Sequence, residues 1–273
     1  MSLRLKGTLV LAGCGKMGGA LLEGWLKGGA DPKRIAAFDP HPPEEVRALI
    51  AAHGIRHNPP VYSIADAEVL LAAAKPQIMD EVLPGFLPLM AQRPLVLSIA
   101  AGKTIASFER HFGADAAVIR SIPNTPAAIG RGITALAANR NVRAEQLALA
   151  ESLLLSVGEV VRVEDEALID AATAVSGSGP AYVFYLTECL AAAGEKSGLP
   201  PDLAMKLARA TVSGSGELMR VTGLAAETLR QNVTSPKGTT YAALQVLMAK
   251  NGLAPMMTEA IAAATRRSRE LAS

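Results

Sequence analysis

The chain carries two patterns of apolar positions. Up to about Val163, short runs of aliphatic residues alternate with amphipathic stretches: "GTLVLA", a helix over 17–27, "RIAAF", a helix over 46–52, "EVLLAAA", "LVLSIA", "AAVIRSI", "GITALAA", a helix near 144–156 and "EVVRV". Strands separated by helices are joined by right-handed crossovers, so this order predicts a mainly parallel sheet. Beyond Glu164 the strand pattern ends, and helical periodicity near 166–196, 201–221, 225–231, 239–250 and 255–271 accounts for the remainder. The expected organisation is an α/β domain over 1–164 followed directly by an all-α domain over 165–273, since no low-complexity linker separates them.

The strongest signal in the first half is "LVLAGCGKMGGALLEGWL", in which Gly13, Gly15 and Gly18 form G-x-G-x-x-G between a predicted strand and a predicted helix. The spacing has a physical reason. The first glycine permits a tight turn, the second lets backbone approach a pyrophosphate, and the third lets helix and strand pack closely. Amides at the helix N-terminus then face the phosphate. This is the pattern of a Rossmann-type dinucleotide site, with Lys16 and Met17 in the loop as further candidate cofactor contacts. Trp25, on the same helix, reads as packing.

Asp39 follows Gly18 by 21 residues, where a carboxylate hydrogen-bonds ribose hydroxyls and favours NADH. Arg34 before that strand and His41 after it leave capacity for the 2′-phosphate of NADPH, and capping of the turn is the alternative role of Asp39. Three further stretches end predicted strands: "AAAKPQ" with Ala74, Lys75 and Pro76, "SIAAGKTI", and "RSIPNTPAAIG" with Asn124. Ligands of open α/β sheets collect at strand C-termini, so these stretches outline one crevice.

Composition narrows the function classes. With 27 basic and 25 acidic residues the formal net charge is +2, so no nucleic-acid partner is expected, and the basic cluster at 266–269 reads as a solvated helix end. Half of the chain is hydrophobic, yet the longest uncharged run, 171–187, contains "SGSGP" and suits a buried helix approach better than a membrane span. The apolar start is too short for a signal peptide and runs straight into the glycine loop. Two cysteines in different halves, Cys14 and Cys189, point to a reducing cytoplasm, with Cys14 a small buried filler. The four histidines, at 41, 53, 57 and 111, lack ligand spacing, so no metal is expected.

The second half contributes a polar turn, "VTSPKGTTYAAL", directly before an apolar helical pattern. Together with "GCGKMGGALLEGW", "AAKPQ", "SIAAGKTIASFE", "RSIPNTPAAIGRGITAL" and "VSGSGPAYVF", in this order over nearly the whole chain, it resembles pyrroline-5-carboxylate reductase. The resemblance implies an N-terminal Rossmann domain and an all-α dimerisation domain, with homodimers often assembling into decamers. It also implies reduction of L-1-pyrroline-5-carboxylate to L-proline by NADPH or NADH, the last step of proline biosynthesis.

Under that resemblance the polar turn acquires a role. A small cyclic imine must have its carboxylate fixed, and clustered amides and hydroxyls at a helix N-terminus can hold one without arginine. Gly238 and Thr239 would offer amides, while Thr240 and Ser235, the catalytic candidates, would offer hydroxyls; an N-cap without ligand is the alternative. Ser176, Gly177 and Ser178 would leave room for the substrate beside a helix that Pro180 can kink. No Ser-His-Asp set or paired catalytic carboxylates emerge. A protonated imine is already electrophilic, so orientation and exclusion of water would supply most of the catalysis.

Three positions depart from the family pattern. Lys237 stands where relatives commonly have glycine and must accept positive φ if the turn needs it. Val221 stands near a glutamate often found in relatives, so no such acid is assigned. Asn58 lies near an asparagine expected before the "KP" strand, but Pro59 and Pro60 blur the register. A 3-hydroxyacid-type dehydrogenase would share the glycine loop yet need a lysine or histidine on the long helix, whose first turns have neither. A nonenzymatic NAD(P)-sensing protein would have no use for the intact polar turn.

Overall fold

The computed structural model describes residues 3–272. Among them the strands β1 (Thr8–Ala12), β2 (Ile35–Phe38), β3 (Arg56–His57), β4 (Ala67–Ala72), β5 (Leu95–Ser98), β6 (Ala117–Pro123), β7 (Gly132–Ala138) and β8 (Gly158–Arg162) form one sheet, ordered β3-β2-β1-β4-β5-β6-β7-β8. The helices are α1 (Lys16–Lys27), α2 (Glu44–Ala52), α3 (Met79–Val82), α4 (Ile105–Phe112), α5 (Ala144–Leu155), α6 (Leu168–Ala172), α7 (Gly179–Lys196), α8 (Pro201–Thr222), α9 (Ala226–Asn232), α10 (Thr239–Leu247) and α11 (Leu253–Ala272). Neighbouring strands run parallel except β6 and β7, which are antiparallel. Only the short helical turn Thr125–Ile129 joins that pair. A parallel return needs a crossover of about a dozen residues or more, so the chain doubles back instead.

Strands covered on both faces are apolar throughout, with alternate side chains sent to opposite layers. Leu9 and Leu11 of β1 pack with Leu21, Leu22 and Trp25 of α1 and with Leu153 of α5. Val10, between them, faces the other layer with Phe86 and Leu89. Trp25 is fully buried, and its Nε1 donates to the Leu153 carbonyl at 2.9 Å, which fastens α1 to α5.

The chain divides into two compact units, one running to Gly177 and resuming at Ala264, the other Ser178–Ala263. The sheet unit therefore extends past residue 164, the boundary expected from the pattern change. The reason is packing: Ile169 of α6 is buried with Ile122, Ala135 and Ala137 of β6 and β7. Beside it the buried Arg120 donates from Nη2 to Asp170 Oδ1 at 2.9 Å and from Nη1 to Glu166 Oε1 at 3.1 Å. Ser268 Oγ donates to the same Asp170 oxygen at 2.8 Å, which holds the last turns of α11 in this unit. The helix expected over 166–196 is interrupted by a π-helical turn, Thr173–Gly177, between α6 and α7.

In the helical unit α7 and α8 pack on each other, and Ala191, Ala204 and Ala208 are its buried described residues. Its larger apolar side chains stay outside, with Phe184 62% and Val246 72% exposed. Among the described residues no helix is long and apolar enough to cross a membrane.

Candidate active site

The three loop glycines are glycine for different reasons. Gly13 turns the chain out of β1 at φ +104°, where a Cβ would stand 2.5 Å from the Ala74 nitrogen. At Gly18 a Cβ would stand 2.4 Å from the Gly13 carbonyl oxygen, so α1 comes this close only without a side chain there. Gly15 differs, because its φ is −66° and nothing lies within 4 Å of where a Cβ would be. Internal packing does not demand it. It precedes α1, whose first-turn amides have no side-chain cap. Bare helical amides beside cleared space fit the pyrophosphate of a dinucleotide.

Backbone hydrogen bonds tie neighbouring strand ends at this edge. Gly13 N donates to Phe38 O at 2.8 Å, Ala73 N to Ala12 O at 2.8 Å and Ile99 N to Ala72 O at 3.1 Å. The sequence passes from β1 to β2 on one side while β4 flanks the other, so the crevice lies where strand order reverses. Ala74 backs Gly13, Lys75 is exposed and Pro76 half-buried. Lys16 is exposed in the first turn of α1, whereas Met17 packs against the core.

Asp39, just past β2, clamps the glycine loop. Its Oδ2 accepts from Cys14 N at 2.7 Å and its Oδ1 from His41 N at 2.8 Å. Turn capping and loop clamping thus occur together, and each oxygen retains a second lone pair. Burial, with the Asp39 charge adding to it, pushes the Cys14 thiol up to about 12, which suits a filler and not a nucleophile. Arg34 corrects an expectation. It precedes β2, at the opposite end of the strand from Asp39, where Nη1 donates to the Lys6 carbonyl and lies 3.9 Å from Asp66 Oδ2. Those partners hold it away from any 2′-phosphate at the C-terminal edge.

Sequence reasoning gave Asn58 no role, yet its Oδ1 accepts from Asp39 N at 2.9 Å and its Nδ2 donates to Asp39 O at 2.9 Å. The available signal was an asparagine, tolerant of positive φ, ahead of two prolines; its φ is +48°. Asn124 is a brace between strand ends. Its Oδ1 accepts from Ile133 N at 2.9 Å and its Nδ2 donates to Ser176 O at 3.1 Å. Ser176 Oγ donates to Ala172 O at 2.8 Å, and Gly177 has room for only ordinary contact with Ile122. Ser178 begins the helical unit, just before α7, and makes no side-chain cap there.

In the helical unit the polar turn is built around a left-handed residue, Lys237, with φ +60°. Gly238 N then donates to Ser235 O at 3.0 Å, and a Cβ on Gly238 would stand 2.4 Å from Ser235 Oγ. A side chain at 238 would push the serine hydroxyl aside, while the left-handed position itself carries lysine. No side chain caps α10, so its first amides lie bare next to the threonines at 239 and 240. The predicted residues therefore fall into two sets, the dinucleotide edge with Ser176 and Gly177 in the sheet unit, and Ser178 with the 235–240 turn in the helical unit. Among the described residues no group of three or more His, Cys, Asp or Glu side chains is placed to hold a metal ion.

Known proteins share both halves. The family model for pyrroline-5-carboxylate reductase dimerisation matches residues 166–271, and one described as NADP oxidoreductase, coenzyme F420-dependent, matches 8–102. A curated pyrroline-5-carboxylate reductase from Synechocystis is 45% identical over 241 residues, 88% of each chain. This chain belongs to the pyrroline-5-carboxylate reductase family. The solved pyrroline-5-carboxylate reductase from Coxiella burnetii matches with a TM-score of 0.91 at 33% identity, covering 98% of this chain and 100% of that one. The Plasmodium falciparum pyrroline carboxylate reductase, solved with NADP bound, matches with a TM-score of 0.82 at 28% identity over 98% and 99% of the two chains. As a member of the pyrroline-5-carboxylate reductase family the chain is an NAD(P)H-dependent oxidoreductase, and its function is that of a pyrroline-5-carboxylate reductase in proline biosynthesis.

Proposed function

We propose that the turn before α10 holds the carboxylate of L-1-pyrroline-5-carboxylate, and that the C-terminal edge of β1, β2 and β4 holds the reduced dinucleotide, NADH or NADPH, for its conversion to L-proline. The observation that carries the substrate assignment is the uncapped N-terminus of α10, with Ser235, Thr239 and Thr240 around its free amides. Such amides bind an anion through the helix dipole and direct hydrogen bonds.

A bound nicotinamide supplies a hydride to the imine carbon; the protonated imine nitrogen keeps its proton and becomes the secondary amine. The chain supplies position. Gly13, Gly15, Lys16, Met17 and Gly18 form the phosphate loop, Asp39 accepts from the ribose hydroxyls, and Ala74, Lys75, Pro76 and Asn124 border the crevice. Thr239 donates its amide to the substrate, whereas the Gly238 amide, expected to do the same, is already held by the Ser235 carbonyl and Gly238 serves to shape the turn. Ser235 and Thr240 donate hydroxyls, and Ser176, Gly177 and Ser178 leave space for the ring. Holding two reactants in register lowers the barrier without a dedicated acid or base. The NADP of the Plasmodium relative supports NADPH as an alternative to NADH.

The protein acts as at least a homodimer through its helical unit, a decamer being the further assembly that the resemblance implies. Its setting is the cytoplasm, with no nucleic-acid or membrane partner. Purified protein mixed with pyrroline-5-carboxylate and each reduced cofactor should consume the nicotinamide absorbance as proline forms one for one. Absence of turnover with both cofactors would overturn the reading.

A further inference from the structure

We infer that Asn58 is a positioning residue for cofactor choice: by gripping both backbone polar groups of residue 39 it aims the Asp39 carboxylate at the glycine loop and strengthens the preference for NADH over NADPH. The inference rests on the cofactor reading given above.

One side chain makes both bonds to residue 39, from Oδ1 to its amide and from Nδ2 to its carbonyl, each at 2.9 Å. Only a carboxamide presents an acceptor and a donor side by side in this way. Asn58 is itself anchored, because β3 pairs with β2 through Ala37 and His57 and its amide donates to Ala37 O at 2.8 Å. His57 Nε2 also approaches, at 3.0 Å from Asp39 O and 3.2 Å from Asn58 Nδ2.

With the residue 39 backbone held from the β3 side, its carboxylate reaches the other way. Oδ2 meets Cys14 N at 2.7 Å. An acid at this place accepts hydrogen bonds from ribose hydroxyls and repels a 2′-phosphate. In a loose turn the carboxylate could rotate away and relieve that repulsion. Here side-chain rotation would break the bonds to Cys14 N and His41 N, and swinging the backbone of residue 39 to move the carboxylate would break those to Asn58. Arg34, the cation that would offset the acid, is committed at the far end of β2.

The test compares kcat/KM for NADH and NADPH in the wild type, Asp39→Ser and Asn58→Gly. Glycine removes both grips while accepting the positive φ without strain. The NADH-to-NADPH ratio should fall about tenfold in Asp39→Ser and about threefold in Asn58→Gly, the size expected when a charge-assisted hydrogen bond is lost or loosened. The change should appear in the two KM values, with kcat nearly constant. A purely structural Asn58 would lower both kcat/KM values together and leave their ratio unmoved, which overturns the positioning role. If Asp39→Ser also leaves the ratio unmoved, the placement of the cofactor ribose at this edge fails as well, so the two failures are distinguishable. Should Asn58→Gly not fold, Asn58→Ser, whose single hydroxyl cannot span both groups, is judged by the same ratio.

Discussion

The sheet unit and the helical unit bury their apolar residues in opposite degrees. In the first, Trp25, Phe108, Leu9, Leu11, Leu70 and Leu71 are wholly inside. In the second, the buried described residues are three alanines, while Phe184, Tyr185 and Leu186 of α7 and Leu218, Met219 and Val221 of α8 remain exposed. Each fully buried leucine contributes about 2 kcal/mol, so the first unit has an interior able to support itself and the second does not. The family's dimerisation region falls on the second. The difference separates the two halves of the chemistry too. The proposed dinucleotide edge is formed by strand ends with a core behind them, and the proposed substrate turn belongs to a unit whose large apolar side chains are left uncovered.

The comparison breaks most sharply at Gly15. Since nothing occupies the space beside it, Gly15→Trp should leave the fold and melting temperature almost unchanged while abolishing NADH binding measured by calorimetry. Retained affinity would remove the loop from the cofactor site.

The two cysteines report on the two units separately. At pH 8 a thiol whose pKa is about 12 is ionised in about one molecule in ten thousand, so Cys14 should resist iodoacetamide in the folded protein. Cys189 lies exposed on α7 and should be labelled in dilute protein but shielded as concentration rises and the helical units pair. Peptide mass spectrometry across a dilution series checks both. An unchanging Cys189 rate would mean that this face of α7 stays uncovered.

Within the helical unit the polar turn can be tested without disturbing a core. Thr240→Ala should lower kcat/KM roughly tenfold to a hundredfold, the cost of a hydrogen bond to a charged group, with stability changed by less than about 0.5 kcal/mol. A variant that loses stability but keeps full activity per folded molecule would assign Thr240 to the fold alone. The smallest effect belongs to Lys237. Its φ of +60° is costly for a residue with a Cβ, so Lys237→Gly should stabilise the protein by about 0.5–1 kcal/mol in denaturant melts, the relief being partly offset by the freer unfolded chain. No gain would indicate that the lysine stem recovers the strain through contacts of its own.

Some of the site was legible because its causes are local. Gly18 answers to the Gly13 carbonyl within one strand-turn-helix, Gly13 turns at its own positive φ although the atoms crowding it come from Ala73 and Ala74 beyond β4, and Gly238 lies against Ser235 three residues away. The left-handed Lys237 was legible too, as a departure from glycine in a turn that needs positive φ. Asn124 was legible as a strand-end residue, but its bonds to Ile133 and Ser176 join segments that no pattern connects.

Apolar runs that both faces of a sheet must cover, the helical periodicity after residue 164 and the glycine spacing are set by which backbone each short segment can adopt. From these the sequence by itself determined a parallel α/β unit, an all-α unit and a dinucleotide loop. Tertiary structure decided everything that depends on two distant segments meeting. It reversed β7 because the connection was too short to cross over, drew α6 and the end of α11 into the sheet unit through Arg120, Asp170 and Ser268, and gave Arg34 its partners at Lys6 and Asp66. A residue's own neighbours in sequence do not specify such pairings; they arise because buried charges and backbone groups must find partners wherever the packed chain offers them.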